Sequence, residues 1–179
     1  EDRADMIKRT VPNDLIDVEA VEYGGYWAVD FPLATVFDPE GRRPECRYFM
    51  SVLLVPGDTM VSGADIEGVH DLRFGIMRQE AGNTVVVDGP WFDQEAVDSV
   101  LDRSDRAHVR ALIVQAAERL VQRANPPIIT MSTFDTSLPE NALSKYRVLA
   151  AVVTRNGYVL HNTYRDRKGR DHWHFLRRS

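Results

Sequence analysis

The 179-residue sequence predicts an α+β fold: a mostly antiparallel sheet with two main helices packed on it, its C-terminal half ordered helix, strand, helix, strand, strand. Three observations carry that expectation. The first half is built of short apolar runs cut by Gly and Pro, the signature of strands and turns. Two later segments, ending near Ala124 and Arg155, repeat apolar residues at helical spacing. The chain then closes on two strand-like runs around Asp166-Arg-Lys-Gly169.

The elements follow in order. Asp17–Tyr23 and Tyr26–Phe31 flank Gly24-Gly25, whose freedom at positive φ suits a two-residue hairpin turn, and Pro32 is expected to end the second strand or place it at an edge. Asp38–Pro44 is a turn-rich loop, and Arg47–Val55 reads as a central strand. Gly57–Leu72 has three glycines and no clean period, so it is taken as loop with room for a short helix. Leu72–Glu80 and Thr84–Asp88 are strands joined through Ala81-Gly82-Asn83, and Gly89-Pro90 breaks the pattern.

Asp93 caps a short helix through Leu101, with Phe92 and Val97 placed for a hydrophobic staple. Ser104 or Asp105 caps the next, whose inner side is Val109, Leu112, Ile113, Ala116, Leu120 and Val121, and Asn125-Pro126-Pro127 stops it. Ile128–Phe134 is a strand. Ser137-Leu-Pro-Glu140 is a capping box opening a helix with Ala142, Tyr146, Leu149, Ala150 and Val153 inside, and Asn156-Gly157 ends it.

Composition points to one globular domain over residues 1–179. The apolar fraction is 44% and the charged fraction 27%. A chain of this length buries a sizeable core without staples, and the one cysteine, Cys46, permits no internal disulfide. No apolar run approaches the roughly 18–20 residues of a bilayer span, and Glu1–Arg9 lacks a signal-peptide pattern, so no membrane partner and a cytoplasmic location are expected. The net charge of −5 is unevenly spread. From Lys145 onward nine basic residues face only Asp166 and Asp171, about +7 in net, which leaves about −12 on the preceding 144 residues. Such asymmetry goes with an anionic partner, either nucleic acid or an acidic protein, or with pairing to the protein's own acidic body or to another copy in a homo-oligomer.

The terminal hairpin holds the candidate binding residues. Side chains alternate along a strand, which groups His172, His174 and Leu176 on one face and Asp171, Trp173, Phe175 and Arg177 on the other. If the turn is the four residues Asp166–Gly169, Arg165 stands opposite Arg170, His161 opposite His174 and Thr163 opposite His172; a two-residue turn at Lys168-Gly169 shifts the partners by two positions and keeps the same faces together. The aromatic face, Trp173 and Phe175 with Leu160 and, across from them, Tyr164 or Asn162, is expected to cover the helices as core. His161, Arg165, Arg170, His172, His174 and Arg178 then form an exposed cationic surface suited to phosphate or RNA. Three histidines on neighbouring strands can also bind zinc, but no Cys, Asp or Glu joins them in the local sequence and Arg165 would repel a metal, so no metal is assigned.

Motifs of the common catalytic classes are missing: there is no G-x-x-x-x-G-K-[ST], no G-x-G-x-x-G and no G-x-S-x-G. His70-Asp71 reads either as half of an acid–base pair or as a surface turn, and His108 as a boundary residue of the long helix. The carboxylates Asp93, Glu95, Asp98, Asp102 and Asp105 fit helix caps and a solvated face.

The run of Asp105–Ala124, Ile128–Phe134, Leu138–Arg155 and Tyr158–Arg177, with Asn141-Ala-Leu-Ser-Lys-Tyr146 and Gly157-Tyr158, resembles the end of a GNAT-type N-acyltransferase. The resemblance implies acetyl-CoA as cofactor and, loosely, Tyr146 as the acid. The family's CoA pyrophosphate loop would fall on Leu101-Asp-Arg-Ser-Asp-Arg-Ala107, which has no glycine and two acids, so the implied CoA site is atypical. The leading expectation is thus an accessory binding protein of the phage or plasmid kind, without cofactor, whose basic hairpin meets an anionic partner. A GNAT-like acyltransferase and a metal-dependent hydrolase are the alternatives.

Overall fold

The computed structural model describes residues 5–57, 68–86, 100–133 and 140–179. The expected staple and short helix before residue 100, the capping box at 137–140 and most of the ambiguous loop lie outside them. Among the described residues there are nine strands and two helices: β1 Met6–Arg9, β2 Val21–Tyr23, β3 Tyr26–Phe37, β4 Cys46–Pro56, β5 Val69–Glu80, β6 Asn83–Val86, α1 Arg103–Ala124, β7 Ile128–Ser132, α2 Glu140–Arg155, β8 Tyr158–Arg165 and β9 Asp171–Arg177. The fold is α+β, and its sheet is mixed. The strand order is β1-β3-β4-β5-β7-β9-β8, with β2 also on β3 and β6 also on β5. The pairs β1–β3, β2–β3, β5–β6, β7–β9 and β8–β9 are antiparallel, whereas β5 and β7 run parallel.

The chain divides into two compact units, one of residues 1–18, 30–51 and 74–112, the other of 19–29, 52–73 and 113–179. In the first, the unanticipated β1 pairs Met6–Arg9 with Ala34–Phe37. Its four residues are all exposed and do not alternate, so they do not announce a strand, but ion pairs from Arg9 to Asp105 (3.0 Å) and Asp102 (3.4 Å) tie it down. Pro32 does not end β3. It sits between the stretch paired to β2 and the stretch paired to β1, where neither ladder uses the amide it lacks. Asp102, rather than Ser104 or Asp105, caps α1: its Oδ1 accepts the amides of Ser104 (3.0 Å) and Asp105 (3.1 Å). His108 is half-buried and donates from Nε2 to the Pro12 carbonyl at 2.7 Å, in keeping with a boundary residue.

The second unit holds β7, α2, β8 and β9. Leu120, Ile129, Met131, Leu149, Val152, Val153, Tyr158 and Phe175 are buried there. Val152 completes the inner stripe of α2 with Tyr146, Leu149 and Val153, whereas Ala150 is only half-buried. Tyr146 stacks on Trp173 of β9, centroids 5.5 Å apart and planes 7° from parallel, which seats α2 against the terminal hairpin. At the helix end Gly157 takes φ +93° and Asn156 donates from Nδ2 to the Val152 carbonyl at 2.8 Å, as the Asn-Gly stop requires. Val69–Leu72, the end of the expected loop, belongs to β5.

Candidate functional site on the C-terminal hairpin

The hairpin register differs from the one expected. Asp166 closes a loop one residue longer than the four assumed: its amide donates to the Arg170 carbonyl at 2.9 Å, and its Oδ1 accepts the amides of Lys168 and Arg170 at 2.8 and 3.0 Å. Arg165 therefore faces Asp171, Tyr164 faces His172, Thr163 faces Trp173 and Asn162 faces His174. An irregularity at His161 then takes up one residue, so that Leu160 meets Phe175.

This shift corrects several expectations. Arg165 shares the face of Asp171 and Trp173, not the histidine face, and its guanidinium grips Asp171 in two bonds of 3.0 and 3.1 Å. Tyr164 joins the histidines instead of the aromatic core. Leu160 is exposed, not core. His172 is 9% exposed, packed beneath the Tyr164 ring with centroids 4.7 Å apart and planes 9° from parallel. His174 is half-buried, and burial, helped by His172 and His161, pushes its pKa down, so its imidazole is held neutral near pH 7. Arg170 is ion-paired to Asp166 at 2.8 Å. Of the expected surface, His161, Arg165 and Arg178 are exposed, Arg165 on the opposite face. No group of three or more His, Cys, Asp or Glu among the described residues is arranged to hold a metal ion.

Cross-strand pairing brings other residues to the histidine face. Asp71 of β5 lies beside Thr130 of β7, Thr130 beside His174, and His174 beside Asn162. Two residues on, Ser132 lies beside His172, and His172 beside Tyr164. These neighbours bond to one another. Thr130 Oγ1 donates to Asp71 Oδ1 at 2.8 Å, and Arg73 holds Asp71 Oδ2 at 2.6 Å. Ser132 Oγ lies 2.7 Å from His172 Nδ1, and His172 Nε2 lies 2.9 Å from Asp166 Oδ2.

The proton positions in that last chain follow from Asp166. Its carboxyl is held well below the usual carboxylate range, first by His172 and then by the Arg170 amide, with further donors from Arg170 Nε and the Lys168 amide. An ionised carboxylate only accepts, so Nε2 of His172 carries the hydrogen; in the neutral ring Nδ1 is then the acceptor, and the Ser132 hydroxyl donates to it. The arrangement is a hydroxyl facing a base that a half-buried acid orients.

Sequence reasoning missed Ser132, Thr130 and Tyr164, and it singled out Asp71 only in company with His70. One signal was present, since the otherwise apolar β7 carries Thr130 and Ser132 at alternate positions. The pair His70-Asp71 does not act together, because adjacent strand residues face apart and His70 Nδ1 turns to the Gly68 carbonyl at 3.2 Å. No helix among the described residues is long and apolar enough to cross a membrane. Compared with protein-family models, curated proteins and solved structures, the chain matches none.

Proposed function

We propose that the chain is an acyltransferase of GNAT-like organisation that takes an acyl thioester such as acetyl-CoA at the carboxyl end of β7, where its parallel pairing with β5 stops. The observation that carries this reading is the short parallel pair. Its three partners end at Asp71 and Thr130, and the polar row of Ser132, His172 and Tyr164 follows at once. Ligands of open α/β sheets gather at the carboxyl ends of parallel strands, where neighbouring strands depart in different directions. The order α1, β7, α2, β8, β9 is also the order that the family resemblance implies.

The phosphates of the donor cannot sit at the start of α1 as in the family, because Asp102 already occupies those amides. Arg167 and Lys168 are the available cations: both are exposed on the loop that Asp166 ties to His172. Tyr146 is 3% exposed and stacked in the core, so it is not assigned the acid role. A ligand present at 100 times its Kd stabilises the folded state by about 2.7 kcal/mol. At about 2–4 °C per kcal/mol for a chain of this size, acetyl-CoA should raise Tm by about 5–11 °C. An unchanged Tm at millimolar acetyl-CoA rejects the proposal.

A second reading keeps the anionic macromolecular partner. It is favoured by Arg167, Lys168 and Arg178, which are exposed and make no ion pair with a described residue, while the hairpin's two carboxylates are engaged by Arg165, Arg170 and His172. Retention on heparin that falls steeply with salt, and falls further in an Arg167→Ala, Lys168→Ala variant, is its expected sign. Retention indifferent to salt rejects it.

A further inference from the structure

We propose that Ser132 is a nucleophile, with His172 as its general base and Asp166 as the group that orients the base, so that the protein forms a covalent Ser132 ester with an activated acyl compound. This deepens the acyl-donor reading and rests on it for the donor's class. The hydrogen-bonded chain has the three properties such a step needs. The hydroxyl donates to a ring nitrogen at 2.7 Å, within reach for proton transfer. In the neutral ring that nitrogen is the free acceptor, because the other carries its hydrogen toward Asp166 at 2.9 Å. The ring cannot turn away, since it is 9% exposed and stacked under Tyr164. Ser132 itself is half-buried, at the carboxyl end of β7.

Such constellations are recognised by geometry and role, not by sequence position. Here the hydroxyl uses Nδ1 and the carboxylate Nε2, and the residues come from β7, β9 and the loop between β8 and β9. In the first step the Ser132 Oγ–carbon bond forms, the hydroxyl proton passes to His172 Nδ1, and the carbon–sulfur bond of a thioester breaks. The departing thiolate takes the proton from Nδ1. An amine or water then attacks the ester carbon, gives a proton to Nδ1, and the Ser132 Oγ–carbon bond breaks with return of that proton to the serine.

The test uses the full chain and a fluorophosphonate, which is not a thioester and so separates this step from CoA binding. Attack by Ser132 forms an oxygen–phosphorus bond and releases fluoride. Intact-mass and peptide analysis should show one adduct, on Ser132, absent in Ser132→Ala, absent from protein unfolded in urea, and formed at least tenfold more slowly in His172→Gln or Asp166→Asn. The wild-type experiment is decisive even if the variants fail to fold. No adduct on the native chain overturns the proposal. So does an adduct elsewhere, or labelling of Ser132 that persists in urea. Labelling of Ser132 without any Tm shift by acetyl-CoA keeps the nucleophile and rejects the thioester donor.

Discussion

Replacing Tyr158 with phenylalanine removes one buried oxygen and nothing else. The Tyr158 hydroxyl donates to the Pro126 carbonyl at 2.5 Å, and Tyr158 itself is 1% exposed. Pro126 is also buried, so its carbonyl has no ready access to water once the hydroxyl is gone. A buried acceptor left unsatisfied costs about 1–3 kcal/mol, whereas burial of the ring is nearly the same for Tyr and Phe. For a chain of this size that is a fall in Tm of about 2–12 °C, with a lower denaturant midpoint at unchanged slope. Burial also pushes the Tyr158 phenol up to about 12, from its ordinary 10.0. A phenol whose pKa rises on folding is held neutral by the fold. The stability it contributes is whole below its unfolded value near 10 and is lost as pH climbs toward about 12. Denaturation followed from pH 8 to 11 should therefore show a steeper alkaline loss in the wild type than in Tyr158→Phe. If the variant is within about 0.5 kcal/mol of wild type at pH 7, the accounting for this hydrogen bond is wrong.

Four further substitutions probe the rest of the unit. Gly68 and Gly157 both sit at positive φ, +85° and +93°, but only at Gly68 would a Cβ meet the Pro127 ring, 2.6 Å from Cγ. Gly157→Ala should cost about 1–2 kcal/mol from backbone strain alone, and Gly68→Ala measurably more by chemical denaturation; equal costs would mean the ring yields freely. Asp166 has its pKa depressed on folding, so the stability it supplies is present above the ordinary carboxylate value of 3.8 and is lost as pH falls below it. In Asp166→Asn the acid limb of a stability profile should be flatter, and an unchanged limb would count against the assigned network. Glu118→Gln breaks the bond to Arg155 at 2.9 Å, yet this half-exposed pair should be worth no more than about 1 kcal/mol in the denaturant midpoint.

Local signals made much of the fold legible before any coordinates. Gly24-Gly25 and Asn156-Gly157 mark turns because only a few residue types tolerate positive φ there, and the structure places φ at 55°, 95° and 93° for the three glycines. The apolar stripe of α1 is readable because 3.6-residue spacing survives in the sequence, and Val109, Leu112, Ala116 and Leu120 are each 0% exposed. What stayed hidden depends on partners far along the chain. The four polar residues that complete the candidate site come from β5, β7 and β8, and no spacing rule links Asp71 to Thr130 or Ser132 to His172. The hairpin shows the same limit at short range. Alternation alone put His172 and His174 together correctly, but one extra loop residue sent Arg165 to the other face and brought Tyr164 over His172. Whether a histidine is a solvated cation or a buried base is set by such pairings, because burial and hydrogen-bond partners belong to the assembled sheet and not to any single strand.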